Sequence, residues 1–245
     1  MTAAGQARPW QVLADELDAV FGYLEDLADA FAAAVTAAGH SYSRADLAQL
    51  RPAIFDGLDR FRDLAVGSGI VPAEGLLADT PHWMEWWWRR AGGEPELLRV
   101  NLDANAPDFF DFPNDEWFTS PAAGNGRHVA GPYVDYACTN EYTFTISVAA
   151  RHNQRSLGVI GMDVPCAHVE RRAMPALAAL PAATALVNRE GRVIAANHAA
   201  LPPGHRVDRH TTAAPASAAA GKAASFEPVA TLTGWSLVHI ELPAR

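Results

Sequence analysis

Apolar side chains recur at steps of three and four through Leu13, Leu17, Val20, Phe21, Leu24, Leu27, Phe31 and Val35, but after residue 98 the repeat shortens to two. A stripe of the first kind is buried by a helix, and alternation is buried by a strand. Helices in one block and strands in the next predict an α+β chain with an antiparallel sheet, rather than alternating βα units. The first helix is expected over 10–38, opened by Pro9 and closed by Gly39. Ser43 with Asp46 three residues on forms a capping box for a second helix. Pro52 restarts it, and Ile54, Phe55, Leu58, Phe61 and Leu64 carry the stripe to Gly67. Asp79-Thr80-Pro81 predicts a third, short helix over 82–90, ended by Gly92-Gly93.

The strand block opens with the alternation of 98–102, followed by an acidic, aromatic loop bounded by Pro107 and Pro113. Residues 128–136 read as extended. Tyr142, Phe144, Ile146 and Val148 alternate with Thr143, Thr145, Ser147 and Ala149, a half-buried strand that pairs with 157–164 in a hairpin. A helical linker around 169–180 leads to a second, smaller set of strands at 184–188, 192–196, 226–232 and 235–242. The Ala-, Pro- and Gly-rich stretch 202–225 is expected to be a loose loop, with His205 and His210 solvated in it and His198 just before it. The expected organisation is therefore a long N-terminal helix over 1–39, a first sheet module over 40–168 and a smaller one over 169–245.

Charge excludes one class of partner. Nineteen basic against twenty-eight acidic side chains leave a net charge of −9 without a basic cluster, so nucleic acid is not expected. No stretch is apolar enough for a membrane span or a secretory leader, which gives a cytoplasmic expectation. Cys138 and Cys166 make neither a disulfide framework nor a metal spacing. The hairpin register could bring them together, and they are expected to stay reduced. No metal or cofactor site is expected.

Special residues are densest over 108–142, where Phe110, Phe118, Trp117 and Tyr133 accompany Asp108, Asp111, Asp115, Glu116 and Asp135, with Arg127 as the only cation. Ring faces attract an ammonium and carboxylates neutralise it, so this composition suits a cation pocket. Asp163 lies within an apolar strand, where a carboxylate must be paired or face solvent. Asp135 and Asp163 could also form a hydrolytic carboxylate pair, joined by Asp111 or Glu116. Because no GxSxG, Cys-His or phosphate-loop pattern accompanies them, binding is favoured over catalysis.

The order Phe110-Asp111-Phe112, Glu116-Trp117-Phe118, Gly131-Pro132-Tyr133-Val134-Asp135, the Thr-rich strand from Tyr142 and Gly158-Val159-Ile160-Gly161-Met162-Asp163 resembles the Cache sensor domains. Val187-Asn188-Arg189-Glu190-Gly191 and Gly234-Trp235-Ser236 are similar to the second module of a double Cache (dCache) domain, a PAS-like fold. The resemblance implies ligand binding in the first module by Phe110, Asp115, Trp117, Phe118, Tyr133, Asp135 and Asp163. Amino-acid-binding members hold the ligand carboxylate with an arginine, and that position falls here on Asp115. With the ammonium half kept and the arginine gone, the resemblance implies a cationic amine as ligand: a biogenic amine, polyamine or quaternary ammonium. An amino acid or small carboxylate is the alternative, and a carboxylate-based hydrolase stands behind both. The family plan further implies a non-enzymatic sensor, signalling through an unidentified partner and pairing as a homodimer through its N-terminal helix.

Overall fold

The computed structural model describes residues 11–90, 92–136, 140–207, 222–228 and 234–241. The chain is α+β, with a long N-terminal helix, a six-stranded antiparallel sheet and a second sheet of four strands. It divides into two compact units, one of Ala19–Pro165 and one of the described parts of Met1–Asp18 and Cys166–Arg245.

Helix α1 runs Gln11–Ala37 and buries the predicted stripe as far as Phe31, with Leu13, Leu17, Val20, Phe21, Leu24, Leu27 and Phe31 at most 3% exposed, while Val35 is half-buried. That stripe is spent inside the chain, so it is not the surface through which the helix would meet a second copy. Helix α2, Arg44–Leu47, starts on the Ser43–Asp46 capping box, and after a single 3₁₀ turn Pro52 opens α3, Arg51–Arg60. The stripe does not stay helical to Gly67. Helix α3 ends at Arg60, and Gly67–Pro72 is strand β1.

The expected helix over 82–90 is instead strand β2, Glu85–Trp88. Four large aromatics cannot share one face of a short helix, whereas a strand sends Trp86 to one side and Glu85 with Trp87 to the other. The strand read over 98–102 is also displaced, because β3 comprises only Glu96–Leu97. A helix that the sequence reading did not anticipate, α4, spans Glu116–Ala122. Strand β4 is His128–Val134, and β5, Tyr142–His152, pairs with β6, Arg155–Pro165, in the expected hairpin. The sheet order is β3-β2-β1-β6-β5-β4, antiparallel throughout.

Both faces of this sheet are covered. On one, Ile146, Met162 and Ile160 are buried together with Leu58 and Ile54. Thr143, Thr145 and Ser147, read from the sequence as the wet side of a half-buried strand, are at most 1% exposed. The polar row is therefore an interior surface.

In the other unit, helix α5, Cys166–Ala178, precedes β7, Ala183–Val187, β8, Val193–Ala196, β9, Lys222–Pro228, and β10, Ser236–Glu241, in the order β8-β7-β10-β9. Ala185, Val187, Val193 and Val238 form its core with Leu201 and Val207. His198 and His205 lie within the described residues, while Cys138 and His210 lie outside them, and with them the question of a Cys138–Cys166 pairing.

Candidate functional site

Strand register assembles the polar row. Gly67 pairs with Asp163 and Asp163 with Thr145, so the three share one face; Gly69, Gly161 and Ser147 lie on that same face one step along. Ala130 of β4 sits opposite Thr145, and a register shift between Ala130 and Tyr133 turns Tyr133 onto this face as well.

Trp86 closes the row from β2. A Cβ on Gly161 would come within 2.8 Å of the indole, and one on Gly67 within 3.1 Å of its Nε1 and 2.8 Å of the Asp163 carboxylate. Those two glycines are the bed on which the indole lies. From there Trp86 Nε1 donates to Asp163 Oδ2 at 2.9 Å, while Thr145 Oγ1 donates to Oδ1 at 2.7 Å. With Thr145 donating to the carboxylate, the Tyr133 hydroxyl donates in turn to Thr145.

A roof of rings covers this floor. Trp117 meets Trp86 at 5.6 Å between centroids, Phe112 stacks on Trp117 at 6.3 Å, and Phe118 meets both edge-on at 5.3 and 5.8 Å. Phe110 and Tyr133 pack against the same cluster, half-buried. Helix α4 presents Trp117 and Phe118, and is pinned by Ser147 Oγ donating to the Trp117 carbonyl at 2.7 Å and by Arg151 Nη2 donating to the Ala122 carbonyl at 2.6 Å.

Three carboxylates converge. Burial pushes Asp163 up to about 7, and the charge of Asp135 adds to this against the two hydrogen bonds it accepts. Asp115 is raised by burial, with the Trp117 indole donating to it at 3.2 Å in opposition. The Tyr133 hydroxyl is raised by burial and by the charges of Asp163, Asp135 and Asp115 together. All seven residues singled out from the sequence thus belong to one neighbourhood. Trp86, Phe112 and Thr145 were missed as members of it; the alternation of Gly67, Gly69 and Gly161 was the available sign that a large ring lies there.

Asp163 has a folded pKa above its ordinary value, so its contribution to stability is complete below the usual carboxylate range and is lost as pH rises towards 7. The unliganded protein should therefore lose stability between about pH 4 and 7, at up to about 1.4 kcal/mol for each pH unit crossed, relative to an Asp163→Asn variant that lacks this titration. Urea melts of both proteins at several pH values measure the difference, and parallel profiles would contradict the burial argument.

No protein-family model matches the chain, and no curated protein does. Solved structures do. The ligand-binding domain of the Campylobacter jejuni chemoreceptor Tlp3 in complex with 4-methylisoleucine superimposes with a TM-score of 0.62 at 16% identity, covering 96% of this chain and 86% of that one. The same domain with L-valine gives 0.61 at 15% identity over 96% and 88%. The ligand-binding domain of the Pseudomonas fluorescens chemoreceptor CtaA with L-serine gives 0.57 at 16% identity over 96% and 92%. The chain therefore has the fold of chemoreceptor sensor domains, in keeping with its resemblance to double Cache domains. At these identities the likeness is one of fold.

Proposed function

We propose that the chain is a small-molecule sensor domain whose Ala19–Pro165 unit binds an α-amino acid by its ammonium group and passes the signal to a partner chain. The observation that carries this reading is Asp163, buried under aromatic rings with both oxygens fixed by Trp86 and Thr145 and with Asp135 near enough to raise it. Crowded carboxylates disfavour one another, and an entering cation removes that penalty. Tyr133 and Trp117 supply ring faces to the same cation. The amino acids bound by Tlp3 and CtaA support this ligand class over the bare amine.

A second reading, a cationic amine without a carboxylate, is favoured by one observation. By the resemblance to amino-acid-binding domains, Asp115 falls at the position of the arginine that meets a ligand carboxylate, and here its own half-buried carboxyl accepts from the Trp117 indole instead. Calorimetry with valine, isobutylamine and isovalerate separates the cases, because the last two are valine stripped of one group each. Valine bound in preference to isobutylamine is the expected result. Isobutylamine bound more tightly would establish the second reading, and binding of isovalerate alone would overturn both.

A further inference from the structure

The β2–β3 edge of the six-stranded sheet carries a groove of about 560 Å³, lined by Arg51, Trp87, Trp88, Glu96, Leu98 and Arg99 among others. That volume is in the range of small-molecule sites. Its chemistry is opposite to that of the Asp163 cluster. Arg51 Nε donates to Glu85 Oε1 at 2.7 Å and its Nη2 to Oε2 at 3.4 Å, while its guanidinium lies 5.2 Å from the centre of the Trp87 ring. Two of its five N–H groups are so committed, and three remain on a side chain that is 39% exposed. The guanidinium is held in place by a buried carboxylate and a ring while keeping donors to spare. Arg99 is exposed and has no ion-pair partner among the described residues. Arg90, next to the lining rather than part of it, holds its guanidinium 5.5 Å from the Trp88 ring.

From this arrangement we infer that the groove is a second ligand site, for a planar monocarboxylate. A fork of N–H donors matches the two oxygens of a carboxylate, and indole faces favour a flat body attached to it. Leu98 supplies an apolar wall. Glu96, exposed at the rim, lowers the net positive charge and disfavours a dense anion such as phosphate. In a chain of net charge −9, an anion is repelled at long range, so a site for one depends on such a local guanidinium cluster. The site does not rest on the ligand proposed for Asp163, since Trp88 and Asp163 lie two strands apart across Gly67.

Benzoate is the probe, with benzylamine and inorganic phosphate as controls, read by the indole N–H resonances of the ¹⁵N-tryptophan-labelled chain. Benzoate should move the Trp88 resonance, assigned through Trp88→Phe, and Arg99→Ala should weaken its binding by about tenfold, the scale of one charge-assisted contact. Asp163→Asn should leave benzoate binding unchanged. Equal binding by the Arg99→Ala variant, or shifts from benzylamine or phosphate matching those from benzoate, would overturn the assignment, as would no response to benzoate at all.

Discussion

Asp163→Asn should weaken binding of the ammonium ligand by about 2–5 kcal/mol, the scale on which one partner of a buried charge pair is lost. It should do so without unfolding the protein. Asparagine is uncharged, so above pH 7 the variant escapes the penalty that burial places on the ionised carboxylate. Loss of affinity with retained stability separates a ligand contact from a scaffold role. The pH profile separates them further. Below about 7 the carboxylate must release a proton before it can meet an ammonium, so affinity should rise by up to about tenfold per pH unit from pH 5 towards 7 and then level off. In the variant that slope should vanish. Calorimetry across this range gives both quantities, and an Asp163→Asn protein that binds valine as the parent does, with the same slope, would remove Asp163 from the site.

Much of this site was legible in the sequence because its parts are local. Phe110, Asp115, Trp117 and Phe118 fall within nine residues, and Tyr133 and Asp135 within three. The alternation of Tyr142–Ala149 with its partner strand also sets Thr145 opposite Asp163. What escaped depends on pairing between distant segments. Glu85–Trp88 reads as helix by its helix-opening Asp79-Thr80-Pro81 and closing Gly92-Gly93, yet it is a strand because β1 offers it an edge along Gly67–Ile70. Once it is a strand, Trp86 and Trp87 face opposite ways, and only then does an indole reach Asp163. The threonine row illustrates the same limit. Alternation marks which side chains share a face, but whether that face meets water depends on Phe112, Trp117 and their neighbours folding over it from another part of the chain.

Glu85 poses a similar question on the opposite face of β2, and Arg51→Ala should answer it with a loss of about 3 kcal/mol in folding stability, towards the lower end of the range for breaking a buried ion pair. The Glu85 side chain is fully buried and meets three groups: Arg51, Trp83 Nε1 at 3.0 Å and Trp87 Nε1 at 2.7 Å. Without Arg51 the two indoles still donate, but neither brings a charge, and a carboxylate sealed from water would keep only dipoles around it. The loss should stay near the lower end because the Arg51 side chain is partly exposed, so water can enter the space it leaves. Trp87 would loosen as well, since the guanidinium and Phe55, edge-on at 4.8 Å, hold its ring. A double-mutant cycle with Glu85→Gln, followed by urea unfolding at pH 7, isolates the charge component; the double variant should recover part of the loss. If Arg51→Ala costs less than about 1 kcal/mol, no more than a surface pair, then the indoles suffice for Glu85. Arg51 would in that case be a groove residue with no part in holding the sheet.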